Sequence, residues 1–198
     1  EDACARYQQI ARKHPRHPKA PEAHLLAVGH AAELARTNED EPLQQYRALL
    51  VEHIERWPAS PTANEARWRL ARLFEYQQRW QEAAETYQSI VRDDARRAAA
   101  VASVERCTNA LLSQLSDARR RAATATKAAE WFESIASEAL SASPPRWRPH
   151  HCAAALAATR IGLAELPGRQ LQAAALLHQA LRECQASEAP WRASAESA

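Results

Sequence analysis

Pro58-Ala59-Ser60-Pro61-Thr62-Ala63-Asn64-Glu65-Ala66 repeats an earlier stretch, Pro15-Arg16-His17-Pro18-Lys19-Ala20-Pro21-Glu22-Ala23. Both read P-x-x-P-x-A-x-E-A, with starting positions 43 apart. Each follows a segment with helical apolar spacing, and each opens another. A fixed offset in this range marks a repeat array. Such arrays bury their apolar side between neighbouring repeats and leave an extended surface, rather than one deep pocket.

Working outward, the chain has 198 residues, 46% of them hydrophobic and only 3 of them glycine. Alanine, the best helix former, is plentiful, so the expectation is an almost wholly helical protein. The net charge is +2, from 26 basic and 24 acidic side chains. That balance gives no long-range attraction to nucleic acid or anionic lipid. The longest apolar stretch, Cys152 to Ala158, is far too short to cross a bilayer. The chain contains no methionine and does not open with a leader-peptide pattern. It reads as a piece of a longer protein, and its compartment stays unknown. The cysteines, Cys4, Cys107, Cys152 and Cys184, are dispersed. Buried thiols are the ordinary reading, and a disulfide between distant helices is the other.

Periodicity and prolines divide the chain into nine helices. A lone helix covers 3–14. Helix pairs follow at 21–57, 62–93, 97–142 and 149–186, and 188–198 is expected to fray. Thr62 and Glu65 are spaced as a capping box for the fourth helix. The seventh carries a stripe of Ala122, Ala125, Ala129, Phe132, Ala136 and Leu140. In the ninth, His178 lies beside Leu171, Ala174 and Leu181, as a core or boundary histidine. Trp57, Trp68, Trp80 and Trp131 occupy packing positions, while Trp147 and Trp191 are placed to cover ends. Paired antiparallel helices over 1–187 form one all-α domain, an α-solenoid winding as a right-handed superhelix.

From Glu65 to Ala95 the chain resembles a tetratricopeptide repeat, whose pattern is W-x2-L-G-x2-Y, then A-x3-F, then P. Leu70, Ala71 and Phe74 match the leucine, small residue and aromatic of the first helix. Ala83 and Tyr87 match the alanine and aromatic of the second. Arg67 holds the tryptophan place, with Trp68 one residue later, and Ala95 holds the proline place. Ile90 extends the packing set, and Tyr7 and Leu50 hold comparable places in the neighbouring units. After Ala98 only the helix-pair character persists. The unequal units and proline-rich links are similar to divergent bacterial repeats.

The resemblance implies a non-catalytic scaffold or adaptor that binds a protein or peptide in a concave groove. Across the matched unit the groove side is Glu65, Trp68, Arg69, Arg72 and Tyr76, and in the next pair Glu105, Arg106 and Asn109. The lysine–asparagine carboxylate clamp of chaperone-binding members is not reproduced. An acidic segment with an apolar anchor suits Arg69, Arg72 and Trp68. Two other functions stay open: the helical arm of an enzyme whose catalytic domain lies elsewhere, and phosphate or RNA binding through Arg96, Arg97 and Arg119 to Arg121.

Catalytic and cofactor signatures are missing from the sequence. Three glycines build no phosphate loop, and neither H-E-x-x-H nor G-x-S-x-G occurs. No metal and no cofactor is expected. His150-His151-Cys152 is the one metal-like cluster, but adjacent helical residues point about 100° apart. His14 and His17 lie in a loop, where exposure is the default.

Overall fold

The computed structural model describes residues 2–37, 40–141 and 147–183. Among them are nine α-helices and no strand: α1 (Asp2–Lys13), α2 (Ala20–Leu34), α3 (Asp40–Arg56), α4 (Ala63–Tyr76), α5 (Trp80–Gln88), α6 (Arg97–Gln114), α7 (Ala118–Leu140), α8 (Pro149–Glu165) and α9 (Gln170–Glu183). A 3-10 turn, Ala35–Thr37, extends α2. The chain divides into two compact units, Glu1–Val91 and Arg92–Ala198. Within each, successive helices pack on their sequence neighbours, the helix order of an α-solenoid.

The repeated sequence folds as a repeated turn. The Ser60 N–H donates to Trp57 O and the Ala63 N–H to Ser60 O, as the His17 N–H does to His14 O and the Ala20 N–H to His17 O. A side-chain acceptor completes each turn: Ser60 Oγ takes the Thr62 N–H, and His17 Nδ1 takes the Lys19 N–H. The turn occurs a third time before α6. There Asp94 Oδ1 accepts the Arg96 N–H, Asp94 O accepts the Arg97 N–H, and Arg96 O accepts the Ala100 N–H. This copy has no proline, and sequence reading passed over it.

The Thr62–Glu65 capping box does not form. Thr62 Oγ1 lies 2.9 Å from His53 Nε2 and 2.8 Å from Ser60 Oγ, and Glu65 pairs with Arg69 instead. A buried histidine claims the hydroxyl before the helix does.

In the first unit the core holds Leu50, Leu70, Ala71, Phe74, Ala83, Tyr87 and Ile90, all buried. Tyr7 is exposed and stacks on His30, because Cys4 and Ala11 take the inner face of α1. Ile90 lies beyond the end of α5. Trp57 packs on Ala11 and Ala20 and donates its indole N–H to Pro15 O, tying the first proline turn to α3.

In the second unit α8 packs against α6, α7 and α9, so it is buried nearly all round and shows no amphipathic stripe. The inner side of α7 is Ala125, Ala128, Ala129, Phe132, Ile135, Ala136 and Ala139. Ala122 is exposed, and the side chain of Leu140 lies outside the described residues. On α9, Ala173 and Ala180 are buried while Leu171 is 89% exposed. The inner stripe is therefore 173/176/177/180, and both Ala174 and His178 face outward. Trp147 packs against Ala136, Ala155 and Ala180. Cys4 and Cys107 are buried thiols, whereas Cys152 is disulfide-bonded. Cys184, Trp191 and the tail expected to fray lie outside the described residues.

Candidate partner-binding face

Ala66, Leu70, Leu73 and Phe74 of α4 turn inward. Helical geometry therefore turns Glu65, Arg69, Arg72 and Tyr76 outward along one side. Arg69 Nε donates to Glu65 Oε1 at 2.6 Å. Arg72 is exposed and has no ion pair among the described residues. Tyr76 is 65% exposed. Trp68 is only half exposed: its ring meets Tyr87 edge-on at 5.2 Å between centroids, and the Tyr87 hydroxyl donates to Glu75 at 2.9 Å. Trp68 thus packs its own hairpin, and Tyr76 is the aromatic side chain open to solvent.

Half-buried Tyr46 of α3 borders the same face. Burial raises its phenol pKa, and the charges of Arg69, Glu65 and Arg72 all reach it. The face therefore spans α3 and α4, with a phenol beside two guanidinium groups. Nothing local in the sequence marks Tyr46 as part of this face, because only the packing of α3 against α4 brings it there. Chemically, Arg72 offers an uncompensated cation next to an exposed aromatic, while Glu65 partly neutralises Arg69.

Glu105, Arg106 and Asn109 lie on α6, in the second unit. Glu105 pairs with Arg160 at 3.3 Å, Arg106 donates to Ser103 Oγ at 3.1 Å, and Asn109 is exposed. The arginines considered for phosphate are largely engaged within that unit. Arg97 is buried with its guanidinium over the Trp131 ring, and Arg96 pairs with Asp94. Arg121 grips Glu165 through two bonds of 2.6 Å and donates to Leu112 O. Arg119 and Arg120 are exposed.

His150 and His151 do converge, with ring centroids 4.1 Å apart, and Glu138 of α7 joins them. The three ligand atoms lie within 4.8 Å of one another. Adjacent helical positions diverge at Cβ, but rings at a helix start can fold back toward a shared neighbour. The polarity is nevertheless wrong for a cation. His151 Nδ1 accepts the Arg148 N–H at 3.0 Å, so in the neutral ring the proton sits on Nε2, facing Glu138 at 3.9 Å. Metal-bound histidines have the reverse arrangement, donating from the far nitrogen. Arg92 holds the other Glu138 oxygen at 2.8 Å. Burial first, then His151, Arg97, Arg148 and Arg92, push the His150 pKa down to about 4. That much positive charge repels a divalent ion, and the disulfide removes Cys152 from the set.

Residues 65–95 match the family model described as Tetratricopeptide repeat. No curated protein matches the chain. Among solved structures, it is similar to the nearly identical TPR-like repeats of a Podosopora anserina kinesin light chain, at 17% identity and a TM-score of 0.46, over 93% of this chain and 97% of that one. A variant form of the same repeats gives 18% identity and a TM-score of 0.45, over 91% and 93%. No helix of the described residues is long and apolar enough to cross a membrane.

Proposed function

We propose, on the premise that residues 65–95 belong to the tetratricopeptide repeat family, that this chain is a non-catalytic protein–protein interaction module. It takes an acidic partner segment along the outer side of α4. Arg72 receives the carboxylate, Arg69 and Tyr46 border it, and Tyr76 supplies the aromatic contact. The observation that carries this reading is the pairing of an exposed arginine, without an ion pair among the described residues, with a tyrosine that is 65% exposed. Arginine and tyrosine are the side chains that most often dominate interface energetics once water is excluded.

The test is the double variant Arg69→Ala, Arg72→Ala, measured against an array of acidic peptides carrying one apolar residue. Binding is expected to fall at least tenfold. Stability should stay within about 1 kcal/mol, the worth of an exposed ion pair. Parallel losses of binding and stability would make these arginines structural and remove the reading.

A further inference from the structure

Four elements of the first unit meet at two histidines with no solvent exposure, His24 of α2 and His53 of α3. Their Nδ1 atoms lie 3.3 Å apart. His53 Nε2 lies 2.9 Å from Thr62 Oγ1, which is 2.8 Å from Ser60 Oγ, in the turn that opens α4. On the other side, His24 Nε2 faces Glu52 Oε2 at 3.5 Å. Glu52 is gripped by Arg12 of α1 at 2.7 and 2.6 Å and by Arg56 at 2.9 Å. Trp57 packs against both imidazoles, with centroids 5.1 and 5.4 Å away.

Proton placement follows from the neighbours. Between two neutral imidazoles, one Nδ1 donates and the other accepts. If His24 donated, its bare Nε2 would face a carboxylate, lone pair against anion. The favoured arrangement has His53 Nδ1–H donating to His24 Nδ1, and His24 Nε2–H turned toward Glu52. His53 Nε2 is then bare and accepts from the Thr62 hydroxyl, which accepts from Ser60. The chain runs in one direction from the α4 turn to the Glu52–Arg12 pair.

One proton can enter without breaking this chain. A charged His24 holds protons on both nitrogens, so it donates to His53 Nδ1. The His53 proton moves to Nε2 and donates to Thr62, whose hydroxyl turns to Ser60. The new charge sits beside Glu52. A second proton has no such place, because both Nδ1 atoms would then carry hydrogen 3.3 Å apart, on two buried cations.

We propose that the His24–His53 pair is an acid-sensitive latch joining α2, α3 and the start of α4, reversing its hydrogen-bond chain on the first proton and opening on the second. The charged groups that face it are Glu52, Arg12 and Arg56, and Thr62 and Ser60 supply the polar contacts from the α4 side. Burial lowers the His24 pKa against the opposing pull of Glu52. Burial, then the charge of His24, lowers His53 to about 4, so His24 takes its proton first. Glu52, held at about 2 mainly by its Arg12 bond, stays charged throughout. Both histidine pKa values lie below the ordinary 6.5. Stability from the latch is therefore complete above that pH, and it is lost as pH falls toward about 4.

The test is long-range 1H–15N NMR of the imidazoles in the whole chain across pH 8 to 4, with His24→Gln and His53→Gln to assign the signals. At high pH, His53 is expected as the Nδ1–H form and His24 as the Nε2–H form. On acidification His24 charges first and His53 switches to Nε2–H. Amide exchange of the first turn of α4 then rises at least tenfold when His53 charges. In His53→Gln, the fall of the folding constant with pH below 6.5 is expected to shrink by tenfold per pH unit. A His53 signal that keeps its Nδ1 proton after His24 charges overturns the proposal. So does one that titrates near 6.5 with no change in exchange. Proximity of both imidazoles to the Trp57 ring, and of His53 alone to Thr62, assigns the same signals by NOE in the wild-type chain, so they decide the matter even if the glutamine variants do not fold.

Discussion

At the scale of single residues, the hairpin of α4 and α5 turns on small side chains. Ala71 and Ala83 are both fully buried there. An alanine at such a crossing is fixed by volume: the space beyond its methyl already holds neighbouring side chains. Ala83→Leu is therefore expected to cost about 1–3 kcal/mol through overpacking, read as a lower urea midpoint with an unchanged slope. An unchanged midpoint would mean that the hairpin is not closed at this alanine. Position 83 was legible from the repeat pattern alone, because a small residue at fixed spacing has one use in a helix hairpin. His24 and His53 were not, since their meaning depends on a partner 29 positions away. Thr62 was misread for the same reason. Its local spacing proposed a cap, and a buried tertiary partner took the hydroxyl.

At the scale of helices, two glycines separate propensity from packing. Both lie inside α-helices, where glycine costs up to about 1 kcal/mol relative to alanine. A Cβ added at Gly29 of α2 meets nothing within 4 Å, so Gly29→Ala is expected to stabilise by about 0.5–1 kcal/mol. A Cβ at Gly162 of α8 meets the Ala173 methyl of α9 at 3.1 Å. Gly162→Ala therefore sets a similar propensity gain against a close contact and should come out near neutral. Gly162→Leu should lose about 1–3 kcal/mol. Thermal denaturation of the three variants orders them Gly29→Ala, Gly162→Ala, Gly162→Leu. A Gly162→Leu variant as stable as the parent would mean that α8 and α9 do not cross closely there. Most helix existence was readable, because prolines and apolar spacing act within a few residues. The inner stripe of α9 was not. Alanine-rich helices offer nearly equivalent faces, so the packing partner selects Ala173, Leu176, Leu177 and Ala180 over the face of Leu171, Ala174 and Leu181. The third turn, at Asp94, carries no proline to mark it, because the shared physical device is a side-chain acceptor three residues ahead of the helix start. The exposure of Arg72 and Tyr76 on α4 was readable from helical spacing. Tyr46 joins it only through the approach of α3.

For the whole molecule, the division into Glu1–Val91 and Arg92–Ala198 has a consequence that chemistry can isolate. The disulfide at Cys152 lies in α8, inside the second unit. The buried histidine latch belongs to the first. A disulfide acts largely by restricting the unfolded chain and typically contributes about 2–4 kcal/mol. That effect reaches only those residues that unfold together with the cross-linked segment. Reduction is therefore expected to accelerate amide exchange in α8, where burial otherwise protects it strongly, and to leave α2, α3 and α4 unchanged. Hydrogen-exchange mass spectrometry on peptides from 20–76 and from 149–165, with and without reductant, reads both units in one sample. Equal acceleration in the two sets would show that the chain opens as a single cooperative body. Acceleration confined to α8 would establish that each unit carries its own stability, as expected when every repeat leans only on its neighbours.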